Sequence, residues 1–103
     1  MGLGKILKLI RTNKGLTQKQ MADLIGISQN YLSLIESNSK VPSADRLSSF
    51  AKTLKVSKDA LVFVASQPPE ELSEGDKKKY KELQSNIMSL LLLDITGELV
   101  PNA

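Results

Sequence analysis

A chain of 103 residues with 41% apolar content suits one small domain with a modest core. Cys and His are absent, which excludes disulfides, thiolate or imidazole zinc sites, and Ser-His or Cys-His nucleophile pairs. The net charge of +3 is uneven: residues 1–66 carry ten Lys/Arg against four Asp/Glu, residues 67–103 four against seven, so a basic head suited to a polyanion precedes an acidic tail.

Leu3, Ile6, Leu7 and Ile10 recur at helical spacing and predict a first helix over residues 3–14. Lys5, Lys8 and Arg11 lie between them, and Gly15 supplies the stop. Thr17 and Gln20 then form a capping-box pattern for a second helix. Gly26 ends that helix, where a left-handed residue is needed. Ser28 is the N-cap of a third helix running to Glu36. The gap between the two helices is so short that the axis must turn sharply, and Ile25, Ile27, Leu32 and Ile35 can meet in the crook. The Ala22–Gly26 spacing predicts a close approach of the two helices. The pattern is that of a helix-turn-helix, whose second helix can enter a DNA major groove.

Residues 37–42 form a loop by composition, with Asn38 as the residue that tolerates positive φ. Ser43 caps a fourth helix, with Asp45 in its first turn and Leu47, Phe50, Ala51 and Leu54 as its buried stripe. Ser57 caps a fifth, with Leu61, Val62 and Val64 as apolar contacts. These five helices form a head over residues 1–66. Gln67-Pro68-Pro69 marks a linker, 67–72. Ser73 and Asp76 open a sixth, amphipathic helix over 73–95. Its apolar positions Tyr80, Leu83, Ile87, Leu90 and Leu91 are expected to pair with a second copy, folding back on the head being the alternative. Residues 96–103 are expected to be a flexible tail.

The first 65 residues resemble the lambda-repressor and Cro-like helix-turn-helix domains, the xenobiotic-response-element family of bacterial and phage regulators. The matching stretches are Ile10-Arg11-Thr12-Asn13-Lys14-Gly15-Leu16-Thr17-Gln18 and Ile27-Ser28-Gln29-Asn30-Tyr31-Leu32-Ser33, with Glu36, Val41-Pro42-Ser43 and Leu54-Lys55-Val56-Ser57. The resemblance implies an all-α fold of five helices, to which the C-terminal helix is added. It also implies sequence-specific binding of double-stranded DNA by a homodimer on a palindromic operator. It places Gln29 and Asn30 at base edges, with Ser33 and Leu34 facing the same groove, and Gln18 at a phosphate. It makes Arg11 and Glu36 a buried structural ion pair.

Chemistry agrees with these roles. Gln and Asn can pair with the N6/N7 edge of adenine, and Leu34 can pack on a thymine methyl. Thr17, Gln18, Lys19, Asn38, Ser39 and Lys40 can offer hydroxyl, amide, ammonium or backbone N–H groups to phosphates. The chain departs from the family pattern in having no Lys or Arg between Gln20 and Ser39, and in carrying apolar Leu24 and Leu34.

A transcriptional regulator, most simply a repressor, is therefore expected. The alternative is a protein-interaction module of the same fold, an antitoxin or phage-encoded inhibitor with a protein partner. No catalytic constellation, cofactor motif or metal-ligand spacing is present. Gly2-Leu3-Gly4 is too short to be a phosphate loop. Met1 is not followed by a secretory signal, and Leu90–Leu93 is too short to span a bilayer, so a cytoplasmic protein with no membrane association is expected.

Overall fold

A computed structural model describes residues 2–99, and side chains as far as Leu93. Six helices follow one another: α1 (Leu3–Asn13), α2 (Gln18–Ile25), α3 (Gln29–Glu36), α4 (Ala44–Leu54), α5 (Lys58–Ala65) and α6 (Glu74–Leu99). The described residues contain no strand. The chain is all-α, as expected. No helix among them is long and apolar enough to cross a membrane.

Local chemistry sets most of the helix ends. Thr17 Oγ1 accepts the Gln20 N–H at 3.1 Å while Gln20 Oε1 accepts the Thr17 N–H at 2.9 Å, a complete capping box. The hydroxyls of Ser28, Ser43, Ser57 and Ser73 accept the N–H groups of Tyr31, Arg46, Ala60 and Asp76. Gly26 ends α2 at φ 82°, and a Cβ there would meet nothing within 4 Å. Its role is therefore backbone conformation and not the close helix approach that the Ala22–Gly26 spacing predicts.

α1 is the hub. It packs on α3, α5 and α6, while α2 packs on α3 and α4, and α4 on α5. Ile6, Leu7, Ile10, Met21, Leu32, Ile35, Phe50, Leu54 and Leu61 are fully buried in one core. Val62 departs from expectation: it faces outward, and Phe63 takes the place beside α6, its ring 5.0 Å from that of Tyr80.

α6 closes over α1 and α5 and adds Leu91 to the common core. Its side-chain amide at Gln84 donates to the Phe63 and Ser66 carbonyls at 2.8 and 2.7 Å. The Phe63 carbonyl already accepts the Ser66 N–H and hydroxyl, whereas Ser66 lies just past α5, where intrahelical partners run out. Tyr80 Oη and Ser66 Oγ lie 2.9 Å apart, and Asn13 Nδ2 donates to the Leu92 carbonyl at 3.2 Å. Of the five positions expected to meet a second copy, Tyr80, Ile87 and Leu91 thus turn towards the head of the same chain. Leu83 and Leu90 face outward with Leu93. The helical backbone continues to Leu99, beyond the predicted end at residue 95; residues 100–103 of the expected tail lie outside the described residues.

Candidate nucleic-acid interface

α3 divides into two faces. Leu32, Ile35 and Glu36 point into the protein, whereas Gln29, Asn30 and Ser33 are exposed and Leu34 is half-buried beside them. The division follows the helical repeat, because only the first three fall on the side that α1 and α2 cover. All four expected base-contact residues therefore share one accessible strip. That strip carries amide and hydroxyl groups and one apolar side chain, with no charge of either sign.

The inward side is tied down by a buried cluster. Arg11 Nε and Nη2 donate to Glu36 Oε2 and Oε1 at 2.6 and 3.0 Å, and Arg11 Nη1 donates to the Leu16 carbonyl at 2.7 Å. Gln18 Nε2 donates to Glu36 Oε1 at 3.0 Å. The expected ion pair is present and bidentate. Gln18 turns out to serve it too, which fixes the start of α2 against the end of α3. A phosphate at Gln18 would therefore be met by the unpaired N–H groups of the first turn of α2, at Gln18 and Lys19, more than by the side-chain amide. The Lys19 ammonium lies 3.6 Å from Asp23, and both are well exposed, so it can swing to an anion at little cost. The remaining donor at Thr17 is its hydroxyl proton, since its oxygen and its N–H close the capping box.

The α3–α4 loop offers fewer donors than its composition implies. The N–H of Asn38 goes to the Ile35 carbonyl, and those of Ser39 and Lys40 both go to Leu34. Asn38 is left-handed at φ 62°, as expected, but its Oδ1 accepts the Gly4 N–H at 3.0 Å. It thus caps α1 from the far side of the sequence. The Ser39 hydroxyl pairs with Ser37 Oγ at 3.0 Å, and Ser37 Oγ donates to the Leu34 carbonyl, so what remains for phosphates in this loop is the Asn38 amino group and the exposed Lys40 ammonium.

Gly4 is a residue that sequence reasoning passed over. A Cβ on it would overlap the Ile35 carbonyl oxygen, so α1 approaches α3 here by the full width of a side chain. Nothing local to Gly2-Leu3-Gly4 signals that contact. Farther round, burial and the neighbouring Lys55 hold the Lys14 ammonium below the usual lysine range.

The family model described as helix-turn-helix (HTH_3) matches residues 7–61, which spans α1 to the middle of α5. The chain belongs to the helix-turn-helix family. Its head accordingly has the lambda-repressor-like all-α fold that the sequence resemblance implies. Among similar curated proteins is the immunity repressor protein of Bacillus phage phi105. It is 32% identical over 83 residues, covering 81% of this chain and 58% of the repressor. An uncharacterised HTH-type transcriptional regulator of Mycobacterium tuberculosis strain H37Rv is 38% identical over 58 residues, covering 56% of this chain and 41% of that protein. The matched region thus spans about half the length of these relatives. No solved structure matches the chain. Placed on the helix-turn-helix, Gln29 and Asn30 open the second helix of the motif.

Proposed function

We propose that the chain is a sequence-specific DNA-binding transcriptional regulator, acting as a repressor, with α3 as the helix that enters the major groove. The observation that carries this is the strip of Gln29, Asn30, Ser33 and Leu34. It is accessible, free of charge, and held rigidly from behind by the Arg11–Gln18–Glu36 cluster. A rigid helix that presents amides to a groove is what direct readout needs. The names of the phage repressor and the mycobacterial regulator support the same reading. Amides suit adenine and Leu34 suits a thymine methyl, so the preferred half-site contains A·T pairs under α3. Thr17, Lys19, Asn38 and Lys40 rim the strip as phosphate contacts, with the backbone start of α2 at Gln18.

The operator is a palindrome read by two copies. Leu83, Leu90 and Leu93 support this, being 50%, 60% and 67% exposed along the outer side of α6. Apolar side chains in a row of that kind mark a contact surface. Selection of bound duplexes from a random pool tests the reading. An inverted repeat should be enriched, and sedimentation should give a dimer that Leu83→Asp with Leu90→Asp converts to a monomer.

A second reading is a protein-interaction module. Leu24, 61% exposed at the end of α2, favours it, as does the lack of Lys or Arg on α3. No enriched duplex, together with a stoichiometric protein partner, would put this reading first.

A further inference from the structure

The chain has two arginines, and they are used in opposite ways. The guanidinium of Arg11 is spent inside the protein on Glu36 and the Leu16 carbonyl. That of Arg46, in the first turn of α4, makes no hydrogen bond or ion pair among the described residues, although Asp45 precedes it. Its Cζ lies over the Tyr31 ring, 6.0 Å from the centroid. A guanidinium stacked on an aromatic face loses rotamer freedom but keeps its N–H edges free for a bidentate acceptor.

We infer that Arg46, held by the Tyr31 ring, binds a DNA phosphate on the flank of α3 opposite the start of α2. This rests on the DNA-binding reading above. Tyr31 and Glu36 are five residues apart, so they project about 140° apart around the helix axis. Glu36 marks the flank where α2 begins, through its bond to Gln18. Tyr31 marks the other, where α4 begins. A major groove is about 12 Å wide and a helix with its side chains about 10–12 Å across, so an inserted α3 meets sugar-phosphate on both flanks. The flank of α2 has N–H groups and Lys19. The flank of α4 has Lys40 in the loop and Arg46 on the helix. α3 has no basic residue of its own, and Arg46 supplies the missing positive charge from the neighbouring helix.

The test uses the full chain and a duplex of about 30 base pairs carrying the site enriched from a random pool. A scrambled duplex of equal length serves as the nonspecific probe. Because each copy of the dimer contributes one Arg46, Arg46→Ala is expected to weaken binding to both duplexes about a hundredfold near 100 mM salt, about tenfold per copy, and to lower the salt slope by about 1.8, about 0.9 per phosphate. Lys78→Ala, on the exposed side of α6, is expected to change neither. Tyr31→Leu is expected to weaken binding in the wild type but to add nothing in the Arg46→Ala background. A wild-type slope for Arg46→Ala would overturn the inference and leave the regulator reading intact. Equal losses from Tyr31→Leu in both backgrounds would overturn the positioning by the ring. A wild-type chain that enriches no duplex would overturn the regulator reading, and this inference with it.

Discussion

Arg11 Nε and Glu36 Oε2 lie 2.6 Å apart, in side chains that are 8% and 3% exposed, and this pair joins the first helix to the end of the third. It fixes the end of α3 against α1, beside the packing of Leu32 and Ile35. Removing one member leaves a buried charge without a partner, which typically costs about 3–5 kcal/mol. Arg11→Ala should therefore lower the free energy of unfolding by that amount in a urea titration. Replacing both residues with apolar ones of similar volume, Arg11→Met with Glu36→Leu, should recover most of the loss.

The approach of α1 to α3 makes a second prediction. Gly4→Ala would drive a methyl group into the Ile35 carbonyl oxygen and push away the Asn38 side chain that caps Gly4. Backbone cannot yield as a flexible side chain can. We expect a loss of about 1–3 kcal/mol in chemical denaturation. Gly26→Ala should also destabilise, but through its left-handed φ, since a Cβ there has open space.

Gln84 is one of the groups that dock α6. Gln84→Leu would take the side-chain donor from the Ser66 carbonyl, at a cost of about 1–3 kcal/mol, while the Phe63 carbonyl keeps the Ser66 N–H and hydroxyl. Hydrogen exchange should speed up in α6 and at the end of α5 while α2 and α3 stay protected. Uniform loss of protection would show that α6 does not open as a separate unit.

Lys55 adopts φ 57°, a conformation that costs an L side chain about 1–2 kcal/mol. Lys55→Gly is expected to stabilise the protein by about 1 kcal/mol at neutral pH. The same change removes a positive neighbour from Lys14. Because burial and Lys55 hold Lys14 below its ordinary value, the unfolded chain binds more protons just below pH 10.5. Stability from this group therefore rises with pH across that window. Lys55→Gly should flatten the rise, as read by urea titrations at a series of alkaline pH values.

Base readout is tested at the start of α3. Gln29→Ala should cost about 1–3 kcal/mol for each half-site of the selected duplex and relax preference at one position of each. Binding to a scrambled duplex should change little, because Gln29 carries no charge. An unaltered selection profile would remove Gln29 from the readout.

The sequence by itself determined the six helices and most of their ends, the end of α6 excepted. Caps at Thr17, Ser28, Ser43 and Ser57, the stop at Gly26 and the apolar periodicity act within a few residues, so they are visible in a linear chain. It also placed Gln29, Asn30 and Ser33 on one exposed strip, because helical spacing alone separates them from Leu32 and Ile35. Only the tertiary structure decided what depends on contacts between distant segments. Asn38 caps α1 across 34 residues, Gln18 turns inward to Glu36, and Gln84 satisfies the end of α5. The stacking of Arg46 on Tyr31 and the split of the α6 leucines between the core and the outside belong to the same class. Each satisfies a polar group or covers an apolar face at a place that is near in space and far in sequence, and chain order carries no record of that proximity.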